Sequence, residues 1–154
     1  MAADVCFRKA LPADLPAILA LEQVCPEAPH WPPYIWLEIL NDQQGTVPLR
    51  AAFVAESYGG LLGFVVAAVA AQLSELESIA VDAHARRQGI GKALCLHAFH
   101  WSRSAGAAEI ELEVRASSGA ALSLYHSLGF TQQGMRRAYY RDPADDAVLM
   151  SARL

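Results

Sequence analysis

The alternation of apolar and polar residues from Val5 to Lys9 has the period of a half-buried strand. Pro12-Ala13-Asp14 then opens a helix to about Val24, with Leu15, Ile18, Leu19 and Leu21 at helical spacing. The prolines between Cys25 and Pro33 forbid regular structure. Tyr34 to Leu40 reads as a short helix with Ile35, Trp36, Ile39 and Leu40 on its apolar side. Asn41 to Pro48 is a polar connection. Arg50 to Glu56 and Leu61 to Ala71 are strands joined by a turn at Ser57-Tyr58-Gly59-Gly60, and Leu73 to Val81 is another. Gly89 to about Ser104 is a helix presenting Ile90, Ala93, Leu94, His97, Ala98 and Trp101. Glu109 to Val114 alternates strictly. Gly119 to Leu128 is a helix stopped by Gly129, a left-handed cap. Thr131 to Arg136 and Ala147 to Arg153 are the last two strands.

The order is strand, two helices, three strands, helix, strand, helix, two strands. This predicts an α/β (α+β) domain: a mixed, mainly antiparallel sheet of about seven strands flanked by about four helices. It departs from the steady strand–helix alternation of a doubly wound fold. At 154 residues, the expectation is a single domain over 1–154.

Composition narrows the class. Hydrophobic residues make up 54% and charged residues 18%, against disorder. A net charge of −4 disfavours direct nucleic-acid binding. Cys6, Cys25 and Cys95 are odd in number and lack a C-x-x-C, so the expectation is a reducing cytoplasm. The start of the chain lacks a signal-peptide pattern, and the apolar run Leu61 to Ala71 is too short to span a bilayer. His97 and His100 are three apart, but no carboxylate or cysteine completes a ligand set, so no metal is expected.

The candidate chemistry begins where the strand ending at Val81-Asp82 runs through a short loop into Arg86-Arg87-Gln88-Gly89-Ile90-Gly91-Lys92. The first N–H groups of a helix have no internal partners and sit at the positive end of its dipole. Glycines let an anion approach the backbone, and Arg86, Arg87 and Lys92 add charge. The pattern suits a phosphate. A Walker loop would need glycine at Arg86 and Ser or Thr at Ala93. A dinucleotide fingerprint would need glycine or alanine at Leu94.

Arg86-Arg87-Gln88-Gly89-Ile90-Gly91 resembles the R/Q-x-x-G-x-G/A pyrophosphate loop of the GCN5-related N-acetyltransferases. Ile79-Ala80-Val81-Asp82 resembles their cofactor-side strand, and Leu124-Tyr125-His126-Ser127-Leu128-Gly129-Phe130 their Y-x-x-x-G-F signature. Within that superfamily, Leu112-Glu113-Val114-Arg115-Ala116-Ser117 is similar to the L-E-V-R-x-S stretch of ribosomal-protein-alanine N-acetyltransferases. Arg136-Arg137-Ala138-Tyr139-Tyr140 and Asp146-Ala147-Val148-Leu149-Met150 resemble their R-R-x-Y-Y and D-A-x-x-M ending.

The resemblance implies a splayed pair of parallel strands that takes acetyl-CoA as co-substrate. Ile79, Ala80 and Val81 would hold the pantetheine arm, and Arg87, Gln88, Gly89, Ile90, Gly91 and Lys92 the pyrophosphate. Ser118, where the subfamily usually has asparagine, would be a further cofactor contact. Glu113 would be the base and Tyr125 the acid. The bland alternative is a solvated acidic strand face, which suffices for Glu109 and Glu111. Trp31, Tyr34, Arg115 and Tyr139 would border the acceptor, a protein N-terminus and most closely an N-terminal alanine of a ribosomal protein. The expected reaction is direct transfer in a ternary complex. The alternatives are a small-molecule amine or lysine acceptor, or a non-catalytic acyl-CoA-binding module. No membrane partner is expected.

Overall fold

The computed structural model describes residues 4–41 and 47–154, so most of the expected polar connection and the first three residues of the chain's start lie outside the described residues. The strands are β1 Cys6–Lys9, β2 Leu49–Ser57, β3 Gly60–Ala70, β4 Leu73–Val81, β5 Glu109–Arg115, β6 Thr131–Tyr140 and β7 Asp145–Arg153. The helices are α1 Leu15–Gln23, α2 Pro33–Leu40, α3 Ile90–Ser104 and α4 Gly119–Ser127, with 3-10 turns at Pro12–Asp14 and Ala83–Ala85. The strands form one seven-stranded sheet in the order β1-β2-β3-β4-β5-β7-β6. Only β4 and β5 run parallel; the other neighbours are antiparallel. The expected architecture is therefore the observed one.

Alternation gives the sheet two apolar faces. On one, Val65, Ala67, Ile110, Leu112, Val114 and Met150 pack with Leu94, Cys95 and Ala98 of α3 and Tyr125 of α4. On the other, Ala52, Val54, Phe64 and Val66 pack with Ile18, Leu21, Trp36 and Leu40 of α1 and α2. Gly63 is where β3 and β4 come close to α3: a Cβ there would lie 2.8 Å from the Ala80 carbonyl oxygen and 3.1 Å from Leu94 Cδ1.

A bulge in β4 shifts this pattern. Val66 faces Ser78 while the next residue, Ala67, faces Leu76, which leaves Glu77 as the extra residue. Leu76 therefore packs on the α3 side, and so do Ile79 and Val81, while Ala80 packs toward α1 and α2.

Two expectations need correction. The buried face of α3 extends to Cys95, Phe99 and Ser102, whereas His97 is exposed at its margin, stacked on Phe7 at 5.5 Å. Ser102 can be buried because its hydroxyl is 2.7 Å from that of Ser74. Strand β6 reaches Tyr140 rather than stopping at Arg136, with its register broken between Arg136 and Tyr140 where Ala138 adopts φ 51°.

Candidate active site

The site starts from how little β4 and β5 pair. Their partners are Leu73–Glu109, Ser74–Ile110 and Glu75–Glu111, and then the strands separate. Beyond that point β4 still pairs with β3, and β5 with β7, so each strand turns one backbone edge toward the gap. Ile79, Ala80 and Val81 lie on the β4 side of it. Ser78, next to the bulge, has a buried hydroxyl with no hydrogen-bond partner among the described residues. The gap thus carries unused backbone groups along its length, the complement of an extended chain with amides.

The loop after β4 is set by its own polar groups. Asp82 accepts from the His84 N–H at 2.8 Å, which fixes the 3-10 turn. Arg86 Nε donates to the Val81 carbonyl at 3.2 Å. Arg87 and Gly89 then take positive φ, 63° and 79°, and Gly89 caps α3. Left-handed residues alternating with others turn backbone N–H groups to one side, an anion-binding concavity at the positive end of a helix. Arg87, Gln88, Gly89 and Lys92 are exposed there, and Gly91 is half-buried. Ile90 instead points into the core at 3% exposure, so only its backbone can meet a ligand.

On β5, Leu112 and Val114 belong to the core on the α3 side, and alternation places Glu113 on the opposite face. Glu75, Glu111, Glu113, Gln133, Arg136 and Ser151 line a cavity of about 150 Å³ there. Burial raises the Glu75 carboxyl above its ordinary value, and Glu77, Glu111 and Glu113 add to it. Arg136 Nη2 lies 3.5 Å from Glu113 Oε1. A hydrogen bond to Glu113 raises the Tyr139 phenol, and the Arg136 guanidinium sits 5.5 Å from the Tyr139 ring centre. Arg115 is engaged elsewhere: it lies 4.3 Å over the Tyr140 ring and donates to the Pro143 carbonyl at 2.9 Å, fastening β5 to the β6–β7 hairpin.

Tyr125 lies on the other face, in α4, with its ring edge-on to Phe130 at 5.6 Å. Burial first, then the charges of Cys95, Glu27 and Tyr140, push its phenol well above the ordinary tyrosine range. Glu113 and the Tyr125 phenol are therefore on opposite faces of the sheet. Ser118 stands just before α4, and its hydroxyl donates to Glu27 Oε1 at 2.7 Å. That bond ties the α1–α2 loop to the start of α4. The same loop is held from behind by Glu22, a buried carboxylate accepting from Trp36 Nε1 and from the Trp31 N–H, both at 3.3 Å. Trp31 leans on Trp36 at 5.3 Å, while Tyr34 is 63% exposed at the start of α2.

Comparison with known proteins agrees with this geometry. The sequence model of the acetyltransferase (GNAT) family matches residues 15–130. The chain belongs to that family. It is 37% identical over 141 residues to the [ribosomal protein bS18]-alanine N-acetyltransferase of Escherichia coli K12, covering 90% of each chain. It is 33% identical to an N-alpha-acetyltransferase of Sulfurisphaera tokodaii, over 96% of this chain and 92% of that one. The solved structure of the E. coli ribosomal-protein-S18-alanine N-acetyltransferase superimposes with a TM-score of 0.82 at 32% identity, over 97% and 94% of the two chains.

This GNAT protein is an acetyl-CoA-dependent N-acetyltransferase. Its residues suit that co-substrate: an exposed left-handed turn at a helix start for phosphate, and a splayed strand edge for amides. Among the described residues no group of three or more His, Cys, Asp or Glu could hold a metal ion, and no helix is long and apolar enough to cross a membrane.

Sequence reasoning missed Glu27, Glu75 and Ser78. Nothing local marks them, because each matters through a partner or gap distant in the chain. Arg136 was visible only as part of a basic motif.

Proposed function

We propose that this acetyltransferase acts on the N-terminal α-amine of a protein, an N-terminal alanine of a ribosomal protein, by direct transfer in a ternary complex. What supports the reading is a carboxylate, Glu113, and a buried phenol, Tyr125, on opposite faces of the sheet whose strands β4 and β5 part beyond Glu75–Glu111. The likeness to the E. coli enzyme named for bS18 supports the acceptor. A protein made on the ribosome is met in the cytoplasm, and that location is part of the proposal.

Acetyl-CoA supplies the acetyl thioester. In this reading the backbone of Ile79, Ala80 and Val81 pairs with its pantetheine arm. The N–H groups from Arg87 to Lys92, with the Lys92 side chain, take the pyrophosphate. Ser118 adds a hydrogen bond, and Trp31, Tyr34 at the start of α2, and Tyr139 would border the acceptor. Arg115 contributes by holding Tyr140 and the hairpin.

An amine attacks only when neutral, and an α-amine has a reference pKa of about 7.7–8.0, against about 10.4 for lysine. In this reading Glu113 acts as the general base, taking that proton through a water. Tyr125, kept protonated by its burial, returns a proton to the departing sulfur. Cys95 is unsuited to an acyl-enzyme: it is fully buried and its thiol is pushed up to about 12.

The test is thiol release from acetyl-CoA with an Ala-starting peptide, its N-blocked twin carrying an internal lysine, and a polyamine. Turnover confined to the first supports the proposal. Turnover only with the other two assigns a lysine or small-amine acceptor, and binding without turnover indicates an acyl-CoA-binding module. Glu113→Gln is expected to lower kcat by about 100-fold or more, with acetyl-CoA affinity kept. Near-wild-type rates in that variant would remove Glu113 as the base.

A further inference from the structure

We propose that Asp146 is a positioning residue for acceptor binding: its carboxylate holds a left-handed bulge in β6 that brings Tyr139 to the Glu113 face of the sheet. The inference rests on the reading of Tyr139 as an acceptor contact.

Strand pairing fixes which side chains share a face, because directly opposed residues project to the same side. Glu113 is opposite Leu149 and Arg115 opposite Ala147 across β5 and β7. Arg136 is opposite Ala147 and Tyr140 opposite Asp145 across β6 and β7. Leu149, Ala147 and Asp145 share one face of β7 by alternation, so Arg136 and Tyr140 belong to the Glu113 face. Tyr139 is an odd step from both, and period two would assign it to the α3 face. It lies instead beside Glu113. Its ring is 5.5 Å from the guanidinium of Arg136, which lines the acidic cavity, and its phenol is hydrogen-bonded to Glu113.

A bulge makes this change of face. Between the Arg136–Ala147 and Tyr140–Asp145 pairs, Arg137, Ala138 and Tyr139 stand opposite Asp146 alone. Ala138 takes φ 51°, a left-handed conformation that a residue with a Cβ keeps only when its surroundings hold it. The residue opposite does so: Asp146 Oδ1 accepts from the Ala138 N–H at 2.7 Å, the short bond of a carboxylate to a backbone donor. Asp146 is itself anchored through its backbone. Its N–H donates to Asp145 Oδ1 at 2.8 Å, and its carbonyl accepts from the Ala116 N–H at 2.9 Å. Asp145 in turn accepts from the Ser117 hydroxyl at 2.6 Å, in the turn between β5 and α4. Strand β6 is at the edge of the sheet, so no strand on its far side supports the bulge. Without the Asp146 carboxylate, Ala138 returns to negative φ and alternation takes Tyr139 off the acceptor face.

The test reads the ring position and the rate separately in the full-length enzyme. NMR cross-relaxation between the Tyr139 ring and the Arg136 side chain reports where the ring sits, without any acceptor. kcat and KM for the Ala-starting peptide, and Kd for acetyl-CoA, are measured in the same proteins. In Asp146→Ala the cross-peaks should disappear and kcat/KM should fall about ten-fold, chiefly through KM, with acetyl-CoA affinity kept. Asp146→Asn keeps an acceptor oxygen and should recover most of the loss. Ala138→Gly added to Asp146→Ala should do the same, because glycine takes positive φ unaided. In a Tyr139→Ala background Asp146→Ala should change kcat/KM by less than about two-fold, since the two act through one side chain. If Asp146→Ala folds poorly, Ala138→Pro removes the same N–H and forbids the positive φ, on an edge strand that tolerates proline. Cross-peaks that persist in Asp146→Ala or Ala138→Pro would overturn the proposal. So would a full ten-fold loss in the Tyr139→Ala background, which would give Asp146 a role apart from Tyr139. Lost cross-peaks with an unchanged KM would overturn Tyr139 as an acceptor contact, and the positioning role with it. If no Ala-starting peptide turns over in wild type, the acceptor assignment falls, while the cross-peaks still support or overturn the hold of Asp146 on the bulge.

Discussion

The Ser118 hydroxyl donates to Glu27 Oε1 at 2.7 Å, across 91 residues of sequence, and closes the α1–α2 loop onto the start of α4. A hydroxyl that donates to a carboxylate still has lone pairs to accept with, and the carboxylate fixes its direction. An amide N–H of the co-substrate is a suitable donor to it. Ser118→Ala is therefore expected to weaken acetyl-CoA binding roughly five-fold, the value of one ordinary hydrogen bond of about 1 kcal/mol. Glu27→Ala should weaken it less, because the hydroxyl survives without its orienting partner. Calorimetric titration with acetyl-CoA measures both. An unchanged Kd in Ser118→Ala would reduce the bond to a loop fastening.

Tyr125 is the buried member of the proposed catalytic pair. Its phenol is raised by burial, so it stays protonated through and beyond the usual tyrosine range. Tyr125→Phe should lower kcat by about 100–1,000-fold, as loss of a proton donor does, with KM for acetyl-CoA nearly unchanged. The ring packing against Phe130 is retained in the variant, so its melting temperature should stay close to that of wild type. In wild type, any alkaline fall in rate below pH 10 must come from another group. A tyrosine titration seen spectroscopically below pH 10 and absent from Tyr125→Phe would contradict this.

Much of this was legible in the chain because its local signals agree with one another. The glutamates of Glu109-Ile110-Glu111-Leu112-Glu113 mark one strand face, and Gly89 and Gly129, with φ 79° and 92°, mark a helix start and a helix stop. What escaped depends on register and on pairs distant in sequence. No composition rule says that Glu75 lies beside Glu111; that follows only from a parallel pairing of three residues. The bulge at Glu77 moves the buried positions from Leu76 to Ile79, a change of phase that period-two reasoning does not anticipate. His97 kept its place in the helical period of α3, but the Ser74–Ser102 hydroxyl pair lets the buried stripe turn past it. Strand β6 looked short because Arg136-Arg137 breaks the apolar pattern, and the left-handed Ala138 breaks the register as well.

The two glycines of the phosphate loop are not equivalent. Gly89 has φ 79°, which an L side chain adopts at a cost of roughly 1–2 kcal/mol. Gly91 is inside α3, and a Cβ there would meet Leu124 Cδ2 at 3.4 Å and Val81 Cγ2 at 3.7 Å, ordinary contact distances. Gly89→Ala should lower the melting temperature by roughly 2–8 °C and weaken acetyl-CoA binding. Gly91→Ala should leave stability equal or raise it by up to about 1 kcal/mol, through the smaller entropy of its unfolded chain. A reversal of that order in thermal melts would mean that the loop departs from the left-handed turn that frames the phosphate site.

The acid stability of the fold should depend on Asp14. Arg8 donates to both of its oxygens at 2.8 Å, and the Leu11 N–H adds a third bond at 2.7 Å. The Arg8 hydrogen bonds chiefly hold the Asp14 carboxyl below the ordinary aspartate value, with burial opposing them. Glu56 shares the same guanidinium through bonds of 2.8 and 3.1 Å and is lowered too, but it is open to solvent and screened. A carboxyl lowered in the folded state contributes stability above its unfolded pKa, about 3.9 for aspartate, and loses it as pH falls through the folded value. Asp14→Asn should therefore melt lower than wild type near neutral pH, by roughly 2–8 °C for a loss of about 1–2 kcal/mol. As pH drops below about 4, protonation takes from wild type what the substitution has already removed, and the two melting curves should converge. A gap that stays constant from pH 7 to pH 3 would assign the loss to packing and not to the charge on Asp14.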